Sequence, residues 1–408
     1  MSPASESKVP PRVGASASVD VLIVSLGATG GLRAVDDELL ASLRRAGASA
    51  TIVRAEPPAS VRTLMLTDLR WARAARRAVV AELAHTPARA LIYSTTTAAL
   101  LWPRPGAIRF DAPAAANRPG RHGLWQRPLE RRRLREAPLL LAQSEGALLE
   151  IPVAVRDARP RQSTLVLPVP VEPSGMRESP IFHKTGQPHE SPSLYEAGQS
   201  CESQHLSKAD EKSESLTSDE SRKSSAAHTV RDIAAITYSA NPSKKGLDIV
   251  LDAWRAVGKP GEELLVAGVE EHELHRLGYA LPAPGVRVVG MLDQGDYRAL
   301  LRRARVYVCA ARREDYGIAQ LEALADGCML VTTASPGSYV ALALARALDD
   351  RLVATDPGAV AIGAALRTAL DDPLPDYAQR ALDALMPFRR AAVDRLVVEQ
   401  LLPHLLQS

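Results

Sequence analysis

Apolar runs of strand length alternate with helical patterns twice along this chain, and a stretch with neither separates the two series. VDVLIVSL (19–26) leads into the glycine-rich turn GATGG (27–31), a helical spacing in AVDDELLASLRRAG (34–47) and a second run, ATIV (50–53). A helix pattern over roughly 66–85 precedes ARALIYST (88–95). The rhythm restarts at IAAITYSA (233–240) and continues through a helix near 245–256, ELLVAG (263–268), VRVVG (286–290), a helix over 295–304 and VYVCAA (306–311). Short apolar strands joined by helices make parallel sheets covered on both faces. At 408 residues the chain exceeds one ordinary core. The expected architecture is therefore α/β: two doubly wound, Rossmann-like domains with a cleft between them, over 19–172 and 229–387. Residues 1–18 read as a disordered tail without the apolar core of a signal peptide.

The stretch 173–228 holds 13 Ser, four of the nine His and half of the Lys, with no hydrophobic period. It cannot bury enough apolar area to offset the entropy of ordering it, so a disordered linker or insert is expected there. The chain ends in FRRAAVDRLVVEQLLPHLL, an amphipathic helix over 388–406 interrupted by Pro403.

Composition excludes several classes. The net charge of +3 gives no whole-protein case for nucleic acid. No run of about 18 apolar residues occurs, so no membrane-spanning helix is expected. The three cysteines, Cys201, Cys309 and Cys328, have no metal-ligand spacing, and a reducing, cytoplasmic setting is expected.

The stretch from Ala310 to Val331, AARREDYGIAQLEALADGCMLV, carries the most chemistry. Two carboxylates, Glu314 and Glu322, flank Tyr316-Gly317 and a short apolar helix pattern that stops at Gly327. It reads as strand, loop, helix, Gly stop, strand. The amides of Gly317, Ile318 and Ala319 would open the helix at the C-terminal edge of the sheet, where helix N-termini bind phosphate. Glu322, more than a turn further on, suits sugar hydroxyls instead. An isolated pair of acids would instead read as solvated beside Arg312 and Arg313.

Asn241-Pro-Ser-Lys-Lys-Gly-Leu-Asp248 follows a strand and opens a helix, with Ser243 as the expected N-cap. In GATGG, Gly27, Gly30 and Gly31 would let the backbone approach a ligand. A dinucleotide fingerprint would need Gly where Arg33 stands, which weakens an NAD(P)-dependent oxidoreductase reading. Gly290-Met291 follows VRVVG, and Ser335-Pro336-Gly337 reads as a structural turn. Arg118 to Arg135 holds seven arginines and Trp125. Such a cluster is either a solvated basic face or a peripheral contact with an anionic membrane.

The E-x7-E spacing with its aromatic-Gly pair, Glu322-Ala323 and Gly327 resembles retaining glycosyltransferases, specifically glycosyltransferase family 4 with the GT-B fold. The resemblance implies transfer of a sugar from a nucleoside diphosphate donor to an acceptor hydroxyl, with retention and without metal or other cofactor. It implies that Glu322 holds the ribose, Glu314 the transferred sugar, and Lys245 the donor diphosphate, and that the leaving phosphate helps deprotonate the acceptor. It places Gly290 and Met291 at the base, the GATGG loop at the cleft, Asp111 beside the transferred sugar, and the last helix back on the first domain. Two positions depart from the pattern. Ala240 stands where the family often has Arg, and Phe110 in AIRFDAPAA (107–115) where it often has His. These departures keep open a non-catalytic, nucleotide-sugar-binding scaffold as the alternative.

Overall fold

The computed structural model describes residues 18–59, 61, 63–114, 118, 120–160, 163–174, 231–337 and 339–407. The tail over 1–17 and the Ser-rich stretch from 175 on, with Cys201, lie outside them.

The first sheet contains β1 (Val19–Ser25), β2 (Ala50–Arg54), β3 (Ala88–Tyr93), β4 (Ala107–Phe110), β5 (Leu140–Ala142) and β6 (Thr164–Val166), in the order β2-β1-β3-β4-β5-β6. The second contains β7 (Ile233–Tyr238), β8 (Leu264–Ala267), β9 (Val286–Gly290), β10 (Ala304–Val308), β11 (Met329–Thr333) and β12 (Val353–Ala354), in the order β12-β11-β10-β7-β8-β9. Every pairing is parallel. VYVCAA is strand only to Val308, although Cys309 to Ala311 remain buried.

The helices that matter for the site are α1 (Gly30–Arg45), α2 (Leu64–His85), α3 (Gln126–Glu136), α4 (Pro242–Lys245), α5 (Leu247–Val257), α6 (Gln294–Arg303), α7 (Ile318–Ala325) and α8 (Arg390–Leu396). Aliphatic strands make both cores. Leu22, Val24, Leu91 and Ile108 fill one face of the first sheet, and Val21, Ile23, Ile92 and Leu141 the other. That second face is closed by Val393, Val397, Leu401 and Leu405 from the end of the chain. The closing segment is α8, a π-helical turn over Val397–Leu401, and a last helix Leu402–Leu406. Pro403 has no N–H to give residue 399, and the widened turn just before it absorbs the mismatch.

Strand order reverses between β1 and β3 in the first sheet and between β10 and β7 in the second. Loops leaving the C-terminal edge diverge at such a point and open a crevice.

Candidate functional site

At the reversal in the second sheet, the loop after β7 supplies Lys245 and the loop after β10 supplies Glu314. Asn241, not Ser243, is the N-cap of α4: its side chain accepts from the Lys244 N–H, because Pro242 already occupies the first helical position. Gly246 ends α4 in the left-handed region at φ 65°, and a Cβ there would lie 2.0 Å from the Ala310 carbonyl oxygen. The two loops therefore touch backbone to backbone. Lys245 Nζ donates to Glu314 Oε2 at 2.6 Å.

Burial alone would lower the Lys245 pKa, but the charge of Glu314 and its hydrogen bond outweigh that loss and raise it. Lys244 reaches Asp315 at 3.4 Å. Neither neighbouring arginine takes Glu314. Arg312 is held by Asp248 and the Ser243 carbonyl, and Arg313 by Glu150 from the first domain and by Asp315.

Gly317 caps α7 at φ 84°, and Gly327 at φ 80° follows its last turn, so the helix has the expected bounds. Ile318 and Ala319 open it. The Tyr316 hydroxyl accepts from the Val169 N–H at 2.8 Å, which fastens this loop to the segment joining the domains. Glu322 lies on α7, where Gln294 Nε2 donates to its Oε1 at 3.1 Å and Arg298 Nη1 approaches the same oxygen at 3.6 Å.

Two supports escaped the sequence reading. Gly337 is more than a turn-former: its φ is 106°, and a Cβ there would lie 1.9 Å from the Glu314 carbonyl oxygen. The Glu314 N–H donates to the Pro336 carbonyl at 3.1 Å. The SPG turn thus grips the backbone of Glu314. The other is Glu270, whose carboxylate accepts from the Met291 N–H at 2.9 Å and stands about where a Gly290 Cβ would point. Met291 itself is exposed. Such contacts join residues 21 or more positions apart and leave no local pattern.

In the first domain GATGG is only partly a loop. Thr29 caps α1, and Gly30 and Gly31 are its first residues. Only Gly27 has a positive φ, 60°. The Cβ direction at Gly31 is open, so this backbone is accessible to a ligand. Arg33 donates to the Gly27 carbonyl at 2.8 Å, giving a structural role to the residue that breaks the dinucleotide pattern.

Phe110 is buried core. Asp111 lines a cavity of about 160 Å³ with Thr95, Thr96, Arg118 and Gln126. Asp111 itself is exposed. Loss of hydration, then the charge of Asp315, raise its carboxyl above the ordinary range. The charge of Lys244 acts in the opposite sense.

Much of the arginine cluster is used internally. Arg118 pairs with Asp68, Arg127 donates to the Gly120 and Gly123 carbonyls, and Arg133 donates to the Leu100 carbonyl while lying over the Trp102 ring. No helix among the described residues is long and apolar enough to cross a membrane.

Residues 218–382 match the family model described as glycosyl transferases group 1. That span contains Lys245, Glu314 and Glu322, so the loops at the reversal lie within the matched stretch. No curated protein matches the chain in sequence. Among solved structures, the chain resembles Anabaena HepE in complex with UDP and glucose (TM-score 0.58, 14% identity, covering 94% of this chain and 99% of that one). It also resembles WaaG, a glycosyltransferase involved in lipopolysaccharide biosynthesis (TM-score 0.60, 14% identity, 92% and 99%). A third likeness is to sucrose-phosphate synthase from Thermosynechococcus elongatus (TM-score 0.56, 15% identity, 94% and 98%). With the two six-stranded parallel sheets, these likenesses establish a GT-B fold.

Proposed function

We propose that the chain is a retaining glycosyltransferase of the family 4 type, which moves a hexosyl group from a nucleoside diphosphate sugar to an acceptor hydroxyl. The observation that carries this reading is the Lys245–Glu314 pair at the sheet reversal, on a domain of the group 1 family.

Negative charge grows on the donor diphosphate as the glycosidic bond breaks, and a fixed ammonium stabilises it. Lys245 has three N–H donors; one can stay with Glu314 while another meets the diphosphate. The amides of Gly317 and Ile318 at the start of α7 add a second, dipolar contribution. Glu314 orients the transferred sugar, Glu322 accepts from the ribose hydroxyls, and Gly290 and Met291 line the base. The leaving phosphate takes the acceptor proton, so the reading calls for no separate base and no metal ion. Gly27, Gly30 and Gly31 approach the nucleotide sugar from the first domain, and Asp111 stands beside the transferred sugar. HepE was solved with UDP and glucose, which makes UDP-glucose the first donor to try. A peripheral membrane contact through the exposed remainder of Arg118–Arg135 belongs to the same proposal.

The test is proton NMR of UDP-glucose, GDP-mannose and ADP-glucose incubated with the protein without acceptor. Slow hydrolysis of one donor should first release the sugar with the donor's own anomeric configuration, and Glu322→Ala should abolish it. First release of the opposite anomer would exclude retention. No turnover with nucleotide binding intact would favour the non-catalytic scaffold.

A further inference from the structure

Glu322 is approached from a neighbouring helix. Its Oε1 is approached by Gln294 and Arg298, both on α6. Arg298 is almost completely buried, with 7% of its surface exposed, and divides its guanidinium three ways. Nε and Nη2 form a two-pronged contact with Asp326, the residue just past α7. Nη2 also donates to the Glu172 carbonyl at 2.7 Å, and Nη1 faces Glu322.

Asp326 in turn accepts from the Ser174 N–H at 2.8 Å and from the Ser174 hydroxyl at 2.7 Å. Pro173 and Ser174, expected as part of a structureless insert, are thus anchored. The Glu172 carboxylate accepts from the Arg390 N–H at 2.6 Å, where the chain returns to the first domain. Arg390 continues to Glu38 on α1 at 3.1 Å. Both crossings between the domains therefore converge on Glu172, whose carbonyl accepts from the guanidinium that faces Glu322.

We propose that Arg298 is a positioning residue for the donor ribose, fixing the Glu322 carboxylate while its other arm holds the interdomain crossing at Glu172 and Ser174. The inference rests on the ribose role given to Glu322 above. A buried, two-pronged guanidinium is held in one orientation by Asp326 and cannot be replaced by the single point of an ammonium. Its third arm thus fixes the direction from which Glu322 can meet a ligand.

A ligand–variant cycle tests this, by calorimetry on the full chain with UDP and 2′,3′-dideoxy-UDP, and with the guanosine and adenosine pairs alongside. Arg298→Lys should weaken binding of the preferred nucleoside diphosphate about tenfold and leave its dideoxy counterpart nearly unchanged. The penalty acts only through hydroxyls that Glu322 receives. Ser174→Ala trims only the contacts onto Asp326 and should shift the same ratio the same way by a smaller factor; it carries the test if Arg298→Lys does not fold. Equal losses for both ligands in a ribose-dependent wild type would overturn the positioning role and leave the ribose role of Glu322 intact. A wild type indifferent to the ribose hydroxyls, or binding no nucleotide, would overturn both.

Discussion

Gly337 shows how one residue can govern a site without touching a ligand. Its φ of 106° already excludes most side chains, and the Glu314 carbonyl occupies the Cβ position. Gly337→Ala must push the loop after β10 away from the turn after β11. We expect a loss of about 3 kcal/mol in stability by denaturant unfolding, with nucleotide binding falling further than stability explains. Unchanged binding would mean that Glu314 does not depend on this grip. Lys245 makes a pH prediction. Its folded-state pKa is raised, so the ion pair is fully present below the ordinary lysine value of about 10.4 and is lost as pH rises through the higher folded value. Nucleotide affinity should be flat from about pH 7 to about pH 9. An inflection within that window that vanishes in Lys245→Arg would contradict a charged, paired lysine.

Elements were legible where the pattern was local. Strands β1 to β3 and β7 to β11, the Gly317 start and Gly327 stop of α7, and the apolar face of the last helix all follow from spacing of neighbouring residues, whereas β4, β5, β6 and β12, two to four residues long, are too short to show a pattern. The start of α1 was misplaced because two glycines suggested a loop, while Thr29 supplies a cap that outweighs their poor propensity. Ser243 has a capping side chain too, but Asn241 lies three residues before Lys244 and accepts from its amide. Lys245, Glu314 and Glu322 take their proposed roles from a resemblance; no local rule pairs residues 69 positions apart. Glu270, Gly337 and the Arg298–Asp326 contact had no such aid. The last helix makes its own prediction. Val393, Val397, Leu401 and Leu405 are buried against the first sheet. At about 1.5–3 kcal/mol each, they contribute an amount comparable to the whole stability of an ordinary domain, about 5–15 kcal/mol. Ending the chain after residue 389 should leave the first domain unfolded or aggregated, as read by near-ultraviolet circular dichroism. A truncated protein that retains native ellipticity would contradict that dependence.

At the scale of the whole molecule, the two sheets face the cleft with different chemistry. The second presents Lys245, Glu314, the start of α7 and Glu322; the first presents the start of α1, the Thr95–Thr96 wall and Asp111. Arg313 on one side already pairs with Glu150 on the other, at 2.9 Å. Tyr316, Glu172 and Arg390 tie the second half to the crossings between domains. On the proposed reading, a donor bound to the second sheet is presented to whatever the first one holds. Calorimetric titration with UDP, GDP and ADP, on the full chain and on Lys245→Ala and Glu322→Ala, tests this most directly. One nucleotide should bind in preference to the others, and both variants should lose at least about tenfold in affinity. Binding of none of the three, or binding that survives both substitutions, would contradict a donor site built from these residues.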